Sequence, residues 1–300
     1  MQSHGSDKLL LVDITDQAVA SGEMKSPGSI QTAVTPNNPP WNSWIALLVW
    51  MLSVFLVVVV PSIVVLAYVA PMKGRFDGQE AMIEFLKTDP TAVLLQVLAI
   101  VPVHLLTILI CWAVVTRFRT FPFWQTLGWR AGGMRWWYYV AILGSFFALS
   151  VVVMNFFPET DNDLLRILKS SRSAVVVVAI LATFTAPLVE EVVYRGVLYS
   201  AFQRAMSPSL AIAVVTALFA LVHFPQYWPS YSTLFLLTIL SLALTIIRAR
   251  SGNLLPCIIL HTLFNGLQSL MLIVEPYLPN PTPKPDALPA TIAIIVSLIK

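Results

Sequence analysis

Apolar residues come in long blocks, separated by short polar punctuation. A helix needs about 20 predominantly apolar residues to cross the hydrocarbon core of a bilayer. Seven blocks have that character: Trp44 to Val69, Ala92 to Val115, Trp137 to Phe157, Ala174 to about Ala205, Leu210 to Phe224, Leu234 to Ile247 and Leu254 to Val274. An eighth, Ala287 to Ile299, is short and reads as a tilted span, a truncated one or an interfacial segment. Hydrocarbon offers no partner to a backbone N–H or C=O, so blocks of this length spell helices. The expected fold class is therefore all-α: a polytopic transmembrane helical bundle of seven to eight spans.

The punctuation divides the chain. Residues 1–40 are polar and read as a loosely ordered tail without the basic-then-apolar pattern of a cleavable signal. Residues 41–172 hold the N-terminal membrane helices, 173–275 a core that carries most of the chemistry, and 276–300 a Pro-rich linker and the short last helix. Ser207-Pro208 is a helix-start signal, Ser207 as N-cap and Pro208 at the first helical position.

Composition sharpens this picture. Of 300 residues, 57% are hydrophobic and 11% charged, less than half the charge of an ordinary soluble chain, where about a quarter of residues are charged. A soluble globular domain is excluded, and so is a disordered chain apart from local tails. The net charge of +3 is too mild and too dispersed for nucleic acid, and the apolar blocks imply membrane lipid as the partner of most of the chain. Cys111 and Cys257 sit in apolar blocks and show neither disulfide framework nor ligand spacing. The loop Arg117 to Arg135 has four arginines, no acids and an aromatic fringe. With Arg204, Arg248 and Arg250 on the same side, the charge bias makes that side cytoplasmic, and the N-terminus with it.

Few ionisable groups remain at membrane depth: His104, Glu190, Glu191, Arg195, His223 and His261. Such groups are costly in a bilayer, face a bundle interior or wet cavity, and are functional candidates. Glu190 lies 17 residues before Ser207 and His223 16 after it. At a helical rise of about 1.5 Å per residue, both sit roughly 24–26 Å from the turn, at one depth. Glu191 and Arg195 have the spacing and order of a favourable i,i+4 ion pair, while Glu190 projects about 100° away. Phe219 and His223 repeat the four-residue spacing on the next helix, and His261 and Asn265 on the seventh.

This ordered set, Glu190-Glu191-x-x-x-Arg195-Gly196, Phe219-x-x-x-His223 and His261-x-x-x-Asn265, resembles the CAAX-prenyl-protease and bacteriocin-processing (CPBP) family of intramembrane endopeptidases. The resemblance covers about Ala174 to Leu270; the first three helices match only as spans. It implies a glutamate-dependent peptidase cleaving a membrane-associated substrate, of prenylated CAAX type in eukaryotic relatives. Glu190 would activate water with help from His223. His261 and Asn265 would donate to the oxyanion, Glu191 and Arg195 would hold the site together, and Phe219 would line it for substrate. A carboxylate base and a neutral Asn donor suit those roles.

Other readings compete residue by residue. Glu191 and Arg195 can serve as a brace between helices. His261 and Asn265 can be interhelical glue, and Phe219 can be packing. His104 belongs to no motif and reads as a satisfied core histidine. No cofactor is required, but Glu190, His223 and His261 with a water would make a catalytic zinc site. For the whole chain, the alternatives are a transporter with a proton relay, lacking clear inverted repeats, and a catalytically idle membrane scaffold or immunity factor.

Overall fold

The computed structural model describes residues 34–72, 74–158, 160, 162, 172–274 and 277. Most of the expected tail and linker, and the eighth segment, lie outside the described residues. Among the described residues the fold is helical, with no strand and only an isolated bridge between Thr35 and Asn38. The elements are α1 (Ser43–Val69), α2 (Gln79–Thr88), α3 (Pro90–Leu98), α4 (Ile100–Thr116), the short α5 (Phe123–Thr126), α6 (Trp136–Phe156), α7 (Arg172–Ala205), α8 (Pro208–Tyr227), α9 (Tyr231–Ser251) and α10 (Leu255–Val274).

Seven spans are long and apolar enough to cross a membrane, α3 and α4 forming a single span, Pro90–Thr116. Their outer faces expose large apolar side chains such as Trp44, Leu105, Val140 and Phe184. Apolar surface on this scale is costly in water and natural in lipid, so the protein is an integral, multi-pass membrane protein. The spans follow the apolar blocks closely. Ser207 caps α8 as its spacing suggests, its Oγ accepting from Leu210 N at 3.3 Å with Pro208 in the first turn.

Two segments differ from expectation. The loop between the first two spans contains the amphipathic helix α2. Its apolar positions are too few to read as a span and too mixed with charge to stand out as a helix. Residues 34–40, expected as part of a loose tail, are tied down instead. The Arg204 guanidinium donates to Pro39 O at 2.6 Å, Gln203 Nε2 to Pro36 O at 3.4 Å, and Arg117 to Pro40 O. Trp41 Nε1 donates to Val197 O at 3.0 Å. Prolines cannot donate a backbone hydrogen bond, but their carbonyls accept, which is how this proline-rich strap is held.

The principal core cluster lies where α7 passes α1, α4, α8 and α10, built from Val192, Tyr194, Val197, Leu198, Tyr199, Val215, Phe219 and Ile258. Gly196 lets Leu127 close over α7: a Cβ there would sit 3.0 Å from Leu127 Cδ2. A second cluster joins α6, α9 and α10 around Phe146, Leu244 and Phe264. The motif residues stand where these helices meet.

Candidate active site

Arg195 is the hub. Its guanidinium is fully buried and every nitrogen donates: Nη1 to Glu191 Oε1 at 2.8 Å, Nε to Thr245 Oγ1 at 3.2 Å, and Nη2 to Ser241 O and Oγ, each at 2.8 Å. The i,i+4 pair expected between Glu191 and Arg195 is formed, with both side chains at 0% exposure. A buried ion pair persists only with good geometry and satisfied neighbours. Ser241 and Thr245, one turn apart on α9, supply them.

Glu191 Oε1 also receives His261 Nδ1 at 2.8 Å. A carboxylate oxygen accepts, so Nδ1 of His261 carries a proton, and Nε2 is the ring nitrogen left for other partners. That Nε2 lies 3.7 Å from Glu190 Oε2. The adjacent glutamates therefore diverge in role: Glu191 is buried and committed, whereas the Glu190 side chain stays 25% exposed.

The other histidines repeat this orientation. His223 Nδ1 donates to Phe219 O at 2.8 Å, one turn back on α8. His104 on α4 meets Thr185 Oγ1 at 2.8 Å, and the Thr185 hydroxyl donates to Leu181 O at 3.2 Å, which leaves the ring N–H as the donor. His104 is thus satisfied as a core histidine would be. Among the described residues no hydrogen bond or ion pair joins His223 to Glu190; His223 meets instead the ring of Phe219, four residues back on its own helix.

Phe219 lies at the centre. Its ring centroid is 4.6 Å from that of His223, 6.2 Å from His261 and 5.0 Å from Tyr194, and the Arg195 guanidinium carbon stands 4.9 Å above it. At 2% exposure, the ring faces the site's own side chains. Its negative face suits the guanidinium above it.

Two π-helical turns in α7 shape the site. In Leu181–Thr185, Ala186 N–H reaches back five residues to Leu181 O. The next carbonyl, Ala182 O, would need Pro187 as its five-residue donor, and proline has no N–H. Asn265 Nδ2 fills the gap, donating to Ala182 O at 2.9 Å. In Val192–Leu198, Tyr199 N–H is given to Tyr194 O, and Arg195 O instead accepts from Arg248 Nε at 3.2 Å.

Sequence reasoning missed Arg248, placing it with the cytoplasmic basic residues. The available signal was the stripe Ser241, Thr245 and Arg248, at i, i+4 and i+7 on one helix face. Pro187 within a helical run was a signal for the first π-turn. Among the described residues no three His, Cys, Asp or Glu side chains come close enough to hold a metal ion, so Glu190, His223 and His261 are not assembled as a ligand set.

No curated protein and no solved structure matches the chain. Residues 172–267, which carry all three motifs, match the family described as type II CAAX prenyl endopeptidase Rce1-like, and it is to that family that this stretch is similar.

Proposed function

We propose that Glu190 is the general base of this endopeptidase, activating water against a peptide bond of a membrane-associated protein or peptide. A prenylated CAAX-type substrate is the class the family match supports. The observation that carries the reading is the division of labour between neighbours: Glu191 is spent on Arg195 and His261, while Glu190 remains partly exposed with its Oε2 facing His261 Nε2 at 3.7 Å.

The chemistry follows from those positions. Glu190 takes a proton from water as the water oxygen bonds to the scissile carbonyl carbon. With Nδ1–H committed to Glu191, neutral His261 has no proton on Nε2 to offer an oxyanion. It becomes a donor when Glu190, having taken the water's proton, closes the 3.7 Å gap to hydrogen-bond distance and passes that proton to Nε2. Imidazolium and the second Asn265 amide hydrogen then stabilise the tetrahedral oxyanion. As the C–N bond breaks, that proton returns through Glu190 to the leaving amine. His223, held by Phe219 O, orients the water with its open Nε2.

This route calls on no cofactor. Purified protein in detergent is expected to keep its cleavage of prenylated membrane peptides after chelation. Activity lost to chelator and restored by zinc would replace the glutamate route with a metal one. For topology, the hydrogen bonds from Arg117, Arg204 and Arg248 gather these arginines at the end where the strap lies. We place that end, with the N-terminus, in the cytoplasm. A cysteine substituted at exposed Phe118 is expected to escape impermeant thiol reagent in intact cells and react after permeabilisation; labelling without permeabilisation would invert the topology.

A further inference from the structure

We infer that Arg248 is a positioning residue for the glutamate pair, acting through the main chain of Arg195; this rests on the proposed role of Glu190 and Glu191. Arg248 is a second guanidinium at 0% exposure, and among the described residues no acid stands within ion-pair distance of it. Burying an unpaired charge is expensive, so its hydrogen bonds must return something that a smaller side chain cannot. Its Nε donates to Arg195 O at 3.2 Å, its Nη2 to Ser200 Oγ at 3.1 Å and to Pro36 O at 3.5 Å, and it lies over the Tyr199 ring at 6.0 Å.

The three α9 residues that hydrogen-bond Arg195 lie on one face of that helix. Ser241 and Thr245 seize the guanidinium; Arg248, one turn on, seizes the carbonyl of the same residue. Arg195 is thereby fixed at both ends within a π-turn, the widened part of the helix, whose own N–H donor has shifted to Tyr194 O. The place of Nη1, and with it that of Glu191 Oε1 and the His261 ring, is set by α9 and not by α7 alone. Arg248 also ties this turn to the strap through Pro36.

Two readouts on the full chain in detergent test this. The first is the His261 Nδ1–H resonance in protein labelled with ¹⁵N-histidine, which reports the bond to Glu191 without needing activity. In Arg248→Met this resonance is expected to shift or broaden while that of His104 stays in place. Arg248→Lys, which keeps the charge but not the fork, serves if the Met variant fails to fold, and is expected to show a smaller shift. The second is kinetic: kcat should fall about 10- to 100-fold with KM unchanged, as for small displacements of a catalytic group. In a Thr245→Val background the further loss should be less than multiplicative, because both residues act on Arg195. An unmoved His261 resonance overturns the inference, and so do strictly multiplicative losses. If wild type cleaves no peptide while the resonance moves, the positioning role stands and the peptidase reading fails.

Discussion

Glu190→Gln is expected to lower kcat/KM by about 10²–10⁴-fold, the range supplied by a positioned general base, while leaving the fold intact. Glutamine matches glutamate in shape and cannot accept a proton from water at neutral pH. The structural cost is small because the Glu190 side chain is partly exposed and its near neighbour, His261 Nε2, is 3.7 Å away, beyond a hydrogen bond. The unfolding midpoint in detergent should therefore move little, within the roughly 0.5 kcal/mol of substitutions that break no buried interaction. The adjacent Glu191→Gln is the contrasting control. It should lose both activity and stability, since Glu191 accepts from Arg195 and His261 at 0% exposure. Peptide cleavage by Glu190→Gln at the wild-type rate would remove Glu190 as base, and a large loss of stability would recast it as a structural residue.

How much of this was legible in the sequence differs by level. Span positions were, because lipid demands long apolar helices and these appear as unbroken blocks. The Glu191–Arg195 pair was, because its geometry lies within one helix. The partners of that pair were not. Ser241 and Thr245 look like small residues of an apolar helix, and only the rotation of α9 against α7 brings them to the guanidinium. Arg248 was assigned by charge counting, which treats a basic residue at a span's end as facing water. The two π-turns escaped as well. A one-residue register change leaves hydrophobicity almost untouched, and Pro187 was its only mark. Yet these turns decide which carbonyls need side-chain donors, and so what Asn265 and Arg248 touch.

The register change bears on the largest stability effect expected here. Arg195→Met should destabilise the protein by about 3–5 kcal/mol, the cost of stripping one partner from a buried ion pair. What it leaves behind is specific: Glu191 stays fully buried with only His261 Nδ1 as donor, and Ser241 Oγ and Thr245 Oγ1 lose the guanidinium they face. Phe219 also loses the cation above its ring. If the uncompensated carboxylate is the dominant cost, neutralising it should help. The double variant Arg195→Met with Glu191→Gln should therefore regain a large part of the stability lost by Arg195→Met alone, while recovering no activity. Unfolding in detergent of the wild type, both single variants and the double closes this cycle. Additive losses would mean that the two side chains do not share a term, and the buried pair would then not be what holds α7 against α9. Restored stability without restored cleavage would separate the two tasks of the adjacent glutamates: Glu191 keeps the bundle closed around its charge, and Glu190 is free to do chemistry because it carries none of that burden.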